Sequence, residues 1–456
     1  MFYGRVDFND ETYFFRYENF SLELFKKDFT EDVWEAIRKF DLSSEKDPSI
    51  LIGTLIDSRF KEIHFFIKKG VSGSVHFEKF EVYAHLLLNE GSGEFDKITI
   101  MNDELNWFYN VHSAYDYSIQ GEAEESTASL KPNLGSSEKH IFDFKGKEIE
   151  ANLNVSRSTS SNSRHPIRLD SSLSFTFEKT NETIFIIDLH RVFSKFISFV
   201  TYRKNIDVGS VGVFKQLENK RYRQIGELSV KEDDSLLIEE RRTIQEEVIP
   251  YEFIKDGVAN LLDLISDSKI YTEHIPNNSK DKEHITPASF LLTTSAFEWE
   301  FKNIYGEVNL EENENLNEVH TKMLEAMKEI KEIFTGKKRR YAKSYISRTT
   351  NTSMSLADKI EYAFKEHNEV INDFINHLYL LNGIKEYSYS TMAFRLADQR
   401  NNYAHGNIDI NIDGTVILDL VALEWLIYSM RLRNVGIEDI NIKRSINKLF
   451  KRNMLV

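Results

Sequence analysis

The stretch PYEFIKDGVANLLDLIS, residues 250–266, marks where the hydrophobic pattern of this chain changes. From Tyr251 on, apolar residues recur every three or four positions, the spacing that gathers them on one side of a helix. The plan repeats downstream. TPASFLLTTSAFEWEFKNIYG (286–306) opens with Thr286 as N-cap and Pro287 at the first helical position, sets Phe290, Phe297, Phe301 and Ile304 for burial, and stops at Gly306. LNEVHTKMLEAMKEIKEIFTG (316–336) follows with Val319, Met323, Met327, Ile330 and Phe334, ending at Gly336. SLADKIEYAFKEHNEVINDFINHL (355–378) puts Leu356, Ile360, Phe364, Ile371, Phe374 and Leu378 on one stripe behind Ser355. Residues 388–405, 415–433 and 438–451 predict three more helices, so this part of the chain reads as an antiparallel helical bundle.

Upstream of Pro250 the pattern is that of strands. LIGTLI (51–56), KEIHFFIKK (61–69) and SVHFEKFEVYAHLLL (74–88) are rich in β-branched and aromatic residues and are punctuated by Gly, Ser, Asn and Asp. TEDVWEAIRKF (30–40) is the exception, a candidate helix behind Thr30. Between 119 and 172, Ser, Asn and Gly displace large apolar residues, which predicts long loops around short strands. SLSFTF and TIFIIDL then read as strands, VFSKFISFVTYR as a candidate helix, and VGSVGVF as strand again. The expected class is α+β. A β-rich N-terminal domain (1–118) and a second β-rich unit with long polar loops (119–248) are followed by a linking helix (249–285) and an all-α bundle (286–456).

Composition restricts the chemistry. At 456 residues the chain exceeds the roughly 250–300 residues that one hydrophobic core serves, so more than one domain is expected. Without cysteine there is no disulfide, no thiolate metal site and no thiol nucleophile, which fits a reducing compartment. No basic and apolar leader opens the sequence and no long apolar run interrupts it, so a cytoplasmic protein without membrane contact is expected. A net charge of −15 argues against a general basic surface coating nucleic acid. His112, His165 and His190 lack the close spacing of metal ligands, and no Gly-rich loop with a following Lys is present, so neither a metal nor a cofactor is expected.

The chemically specific segment is RNNYAH, residues 400–405. An Arg followed four to six residues later by a His is a weak signal, since about two such pairs arise by chance among 22 Arg and 13 His. The chain has two. Arg59 and His64 lie in a predicted strand, where a five-residue step puts side chains on opposite faces, so that pair is the chance occurrence. Arg400 and His405 end a bundle helix, with polar Asn401 after the Arg and Gly406 after the His. Five residues turn a helix through about 140°, so the two side chains can meet only if the helix ends there, as Gly406 allows. Asn401, four residues before His405, shares its face and is placed to orient the imidazole or touch a phosphate. The competing reading is a solvated cation beside a C-terminal His favoured by the helix dipole.

These residues resemble the HEPN superfamily's R-polar-x-x-x-H motif. FYGRVDF at the start, KITIMNDELNWFYN (97–110), and PYEFIKDGVANLLDLIS leading into LLTTSAFEWEFKN together make the chain similar to the ApeA-type anti-phage proteins, in which a β-rich N-terminal domain precedes a HEPN domain. The resemblance implies a metal-independent endoribonuclease acting in abortive infection, with RNA as substrate, a homodimer or higher homo-oligomer through the HEPN domain, and a phage-derived trigger. His405 would serve as general acid or base and Arg400 would hold the phosphate oxygens. Glu298, on the helix after TPASFLL, is a candidate supporting carboxylate. Lys337, Lys338, Arg339, Arg340 and Lys343 lie among tyrosines in GKKRRYAKSYISR, suited to an RNA backbone with stacked bases, and the tail KRSINKLFKRN (443–453) has similar charge. The alternative function is a non-catalytic HEPN module for dimerisation or nucleotide binding.

Overall fold

Alternation of apolar and polar residues builds the first strands. Tyr13, Phe15 and Tyr17 of β2 (Glu11–Glu18) face one core, paired with Val6 of β1 (Phe2–Phe8) and with Leu22 and Leu24 of β3 (Ser21–Lys26). The computed structural model describes residues 1–8, 10–26, 49–56, 58–71, 77–89, 93–111, 115–120, 127–132, 135–159, 167–231, 239–306, 314–350, 354–407 and 412–455. The candidate helix at 30–40 and both His112 and His165 lie outside the described residues.

The chain divides into two compact units, Met1–Ser268 with Ile275–Lys280, and Lys269–His274 with Asp281–Val456. In the first, β4 (Ile50–Leu55) and β5 (Glu62–Val71) continue from β1, and β5 and β3 both pair with β6 (Phe77–Leu88), closing a six-stranded antiparallel barrel. Phe15, Phe65, Phe80 and Leu87 fill its interior, where the Tyr17 hydroxyl and His85 Nδ1 lie 2.9 Å apart. The far end of β6 passes into a second run of sheet, β14 (Tyr222–Val230), β13 (Ser210–Gln216), β7 (Phe95–Met101), β12 (Ile167–Thr180), β11 (Lys147–Thr159) and β10 (His140–Phe144). β8 (Tyr115–Gln120) and β9 (Thr127–Pro132) form a separate hairpin. One sheet therefore runs across position 118, so the boundary expected there falls inside a single unit.

Two expectations are corrected in this unit. TIFIIDL is not a strand: it begins α2 (Thr183–Thr201), which follows α1 (Asp103–Phe108). A buried helix and a buried strand share the same unbroken apolar signal, and the following VFSKFISFVT decides by extending it to 19 residues. The described residues of 119–172 are also not mainly loop, because β11 and β12 pair over ten consecutive positions from Glu150 to Thr159. Their Ser and Asn residues also bond to distant main chain, as Ser171 Oγ does by donating to the Tyr109 carbonyl. α3 (Arg241–Glu246) ends before the linker expected at 249–285, which is α4 (Tyr251–Ile254) and α5 (Val258–Ser266) followed by irregular chain, and α5 belongs to the first unit, donating from Ser266 to the Asp143 carbonyl of β10.

The second unit is helical: α6 (Pro287–Tyr305), α7 (Glu314–Ile333), α8 (Gly336–Thr350), α9 (Leu356–Glu366), α10 (Asn368–Leu381), α11 (Tyr389–Ala404), α12 (Gly414–Asn434) and α13 (Asp439–Leu449). Its axis is α12, apolar on every side and packed by α6, α10, α11 and α13. Thr286 caps α6 through a reciprocal bond with Ser289, Pro287 takes the first turn, and Gly306 ends the helix at φ +67°, as the sequence predicts. Ser355 and Asp358 cap α9 in the same way.

The stripe read over 355–378 is split between α9 and α10 at His367. That ring is held by the Tyr305 hydroxyl at 2.9 Å and Ser429 Oγ at 2.8 Å, partners no local pattern reveals. The stripe on α7 is not buried as expected: Val319, Met323 and Ile330 are exposed. No described helix is long and apolar enough to cross a membrane.

Burial pushes His85, His190 and His367 down to about 4. Each is neutral when folded, whereas the unfolded chain takes up the proton near its ordinary value of 6.5. The associated stability is complete above that value and is lost as pH falls from there toward 4, costing about 2 kcal/mol per ring by about pH 5. Urea unfolding at about pH 5 is therefore expected at a markedly lower midpoint than at neutral pH, and His190→Leu should flatten the dependence; equal midpoints would count against neutral buried rings.

Candidate functional site

Helix α11 sorts its residues by periodicity. Met392, Leu396, Gln399 and Tyr403 recur at helical spacing and are buried, with the Tyr403 ring edge-on to Phe290 of α6 at 5.6 Å. Phe394, Asp398, Asn401 and His405 recur on the opposite, exposed side. Arg395 and Arg400 lie between these faces. Arg395 reaches inward with a two-point bond to the fully buried Asp419 of α12, at 2.7 and 2.9 Å, and Asp419 also accepts from the Tyr379 hydroxyl of α10. This carboxylate raises the Arg395 guanidinium above its usual range. Three helices are thereby pinned to one charge pair.

Arg400 is one turn from the helix end. Its Nη2 donates to Glu298 Oε2 of α6 at 3.3 Å, and each side chain of the pair keeps 34% of its surface in water. Sequence reasoning placed these two residues in one site, and the packing of α6 on α11 brings them together. Asn401 Oδ1 stands 3.5 Å from Arg400 Nη1, the outer limit of a hydrogen bond. The carboxylate thus holds one edge of the guanidinium and leaves the remaining donors toward solvent.

The helix stops where RNNYAH ends. His405 is the C-cap, Gly406 takes φ +85°, the Gly406 N–H donates to the Tyr403 carbonyl and the Asn407 N–H to the Asn402 carbonyl, both at 3.0 Å. This is a Schellman ending, which requires a residue free to adopt positive φ after the cap. The exposed imidazole of His405 bonds to no side chain among the described residues. Asn401 reaches His405 through its main chain, accepting from the His405 N–H at 3.0 Å.

Lys337, Lys338, Arg339, Arg340 and Lys343 are all exposed on α8, which packs against α7, and Arg339 is paired with Glu332 at 2.8 Å. They are not gathered at Arg400. In the tail, Lys443 lies 3.4 Å from Asp373 and the Arg452 guanidinium covers the Trp425 ring. Among the described residues no group of three His, Asp or Glu side chains is arranged to hold a metal ion.

The buried pair Arg431 and Glu300 escaped sequence reasoning. Arg431 Nη2 donates to Glu300 Oε1 at 2.8 Å and to the Tyr271 carbonyl, and both side chains are nearly sealed from water, at 1% and 4% exposure. It fixes α6 on α12 two residues from Glu298. The one local signal was an Arg inside the mostly apolar run WLIYSMRL (425–432).

With this geometry in view the chain was compared with known proteins. No family model, curated protein or solved structure matches it. The residues themselves therefore carry the functional argument.

Proposed function

We propose that the helical unit is a HEPN-type, metal-independent endoribonuclease and that the whole chain is an ApeA-like effector of abortive infection. The observation that carries the reading is the pairing of Arg400 with Glu298 one turn before an exposed His405 at a helix terminus, whose imidazole bonds to no side chain among the described residues. RNA supplies its own nucleophile, the 2′-hydroxyl, so cleavage needs a group to take that proton and a cation for the charge growing on phosphate. An imidazole titrates in the right range for the first task. A guanidinium offers planar, paired donors for the second. The 2′-oxygen bonds to phosphorus as the P–O5′ bond breaks, and the 5′-oxygen takes a proton from a protonated imidazole or water and departs as a hydroxyl, leaving a 2′,3′-cyclic phosphate on the other fragment. A homodimer would bring a second Arg400 and His405 to the same phosphodiester.

Incubation of the purified protein with total RNA in EDTA tests this. Cleavage with 2′,3′-cyclic phosphate ends is expected; intact RNA across a range of protein concentrations would favour the non-catalytic module. Glu298→Ala is expected to lower kcat about tenfold, or ~1.4 kcal/mol, because the guanidinium loses its orienting partner. Melting should be nearly unchanged, since a pair this exposed contributes less than about 1 kcal/mol. Unaltered kcat in Glu298→Ala would remove the carboxylate from the site.

A further inference from the structure

The exposed side of α11 carries an aromatic ring that the cleavage chemistry does not use. Phe394 keeps 66% of its surface in water, more than any other phenylalanine among the described residues, and has no aromatic or cationic partner there. Single exposed apolar residues are ordinary, so exposure alone decides nothing. Position does. Phe394, Asp398 and Asn401 recur at helical spacing, within about 60° of one another around the axis, and form a solvent-facing stripe that ends at the exposed C-cap His405. At a rise of about 1.5 Å per residue, Asp398 stands about 10 Å and Phe394 about 16 Å along the axis from His405. These are the distances that a few nucleotides of a single strand cover.

Charge restricts what a strand can lay against this stripe. Asp398 Oδ2 accepts from Asn402 Nδ2 at 3.3 Å, and no described residue bonds to Asp398 Oδ1. A carboxylate repels phosphate, so a strand that reaches Arg400 does not run its backbone over Asp398. A base edge that carries N–H donors is attracted instead. An ionised carboxylate accepts up to about four hydrogen bonds, so the one from Asn402 leaves both oxygens able to take another. Among the RNA bases, guanine alone has neighbouring donors on its Watson–Crick edge, N1–H and the 2-amino group, and they match the paired oxygens of a carboxylate. Side chains four positions apart on a helix are neighbours, so a base stacked on Phe394 brings its edge to Asp398. Pairing in a duplex hides that edge, which restricts the arrangement to unpaired RNA.

We infer that Phe394 and Asp398 form a base-reading subsite that takes an unpaired guanine a few nucleotides from the phosphodiester at Arg400 and His405. The inference rests on the ribonuclease reading for its choice of ligand, and binding tests it apart from cleavage. The probes are short fluorescein-labelled oligouridines with one central guanosine, inosine or adenosine, and their anisotropy is read with the full chain carrying His405→Ala, which leaves them uncut. The guanosine probe is expected to bind about tenfold tighter than the inosine probe, which lacks only the 2-amino donor, and tighter still than the adenosine probe. Asp398→Asn should bring the probes to one affinity, a loss of preference that a merely structural role would not produce. Phe394→Ala should weaken every probe about tenfold or more, and Phe394→Tyr should retain binding, because stacking needs the ring and not the base's identity. Both side chains are exposed, so circular dichroism and melting of the variants should match the parent. Equal affinity for all probes, no binding of any probe, or a guanosine preference kept in Asp398→Asn overturns the proposal. Guanosine-selective binding without cleavage by the wild-type chain would sink the ribonuclease reading and leave the subsite standing. Cleavage with no guanosine at a fixed offset from the cut would sink the subsite alone.

Discussion

Alanine at Arg400 or at His405 is expected to lower the single-turnover rate of RNA cleavage by about 10²–10⁴-fold while leaving thermal stability within a degree or two of wild type. The separation of the two effects follows from the helix ending. Main-chain groups of Tyr403, Asn402, Gly406 and Asn407 make the Schellman bonds, so deleting the imidazole disturbs none of them. Arg400 loses one half-exposed ion pair with Glu298, worth less than about 1 kcal/mol. Arg400→Lys keeps the charge but not the planar fork, and is expected to fall between wild type and Arg400→Ala. On the proposed mechanism both groups act on one phosphodiester, so the double variant should be little worse than the poorer single variant. Rates fully retained in either alanine variant would place the chemistry outside RNNYAH.

The largest effect on stability is expected at Arg431. Arg431→Ala leaves the Glu300 carboxylate buried without its cation and takes a donor from the Tyr271 carbonyl, a change of the kind that costs about 3–5 kcal/mol. For a helical unit of this size that corresponds to a melting temperature lower by roughly 10 °C. Replacing both partners, as in Arg431→Met with Glu300→Leu, is expected to recover most of the loss, because neither buried charge remains. Melting followed by circular dichroism at 222 nm checks both. A single variant as stable as wild type would mean that water or another cation reaches Glu300. Since Glu300 and Glu298 lie on the same helix, Arg431→Ala should also reduce cleavage, through displacement of Glu298.

Much of the helical unit was legible because helix ends are local chemistry. Thr286 and Ser355 satisfy orphan N–H groups within three residues, and Gly306 and Gly406 adopt positive φ for steric reasons of their own. The strand assignments in β4, β5 and β6 held for a similar reason, since alternating or β-branched residues suit one extended geometry. Local reasoning failed where two structures share a pattern. TIFIIDL was read as strand because an apolar run does not report its own period, and the polar residues at 150–159 and 167–172 were read as part of long loops because cross-strand pairing of Ser and Asn has no signature along the chain.

By itself the sequence determined that this chain has a β-rich part and a helical part, where several helices of the helical part begin or end, and that an Arg and a His stand at one helix terminus. These properties depend on residues within a turn or two of each other. Tertiary structure alone decided that Glu298 meets Arg400, that Glu300 meets Arg431 across 131 positions, that His367 breaks a helix, and that the α7 stripe lies open. Each is a question of which distant group comes within a few ångströms, and the spacing of residues along a backbone does not encode that distance.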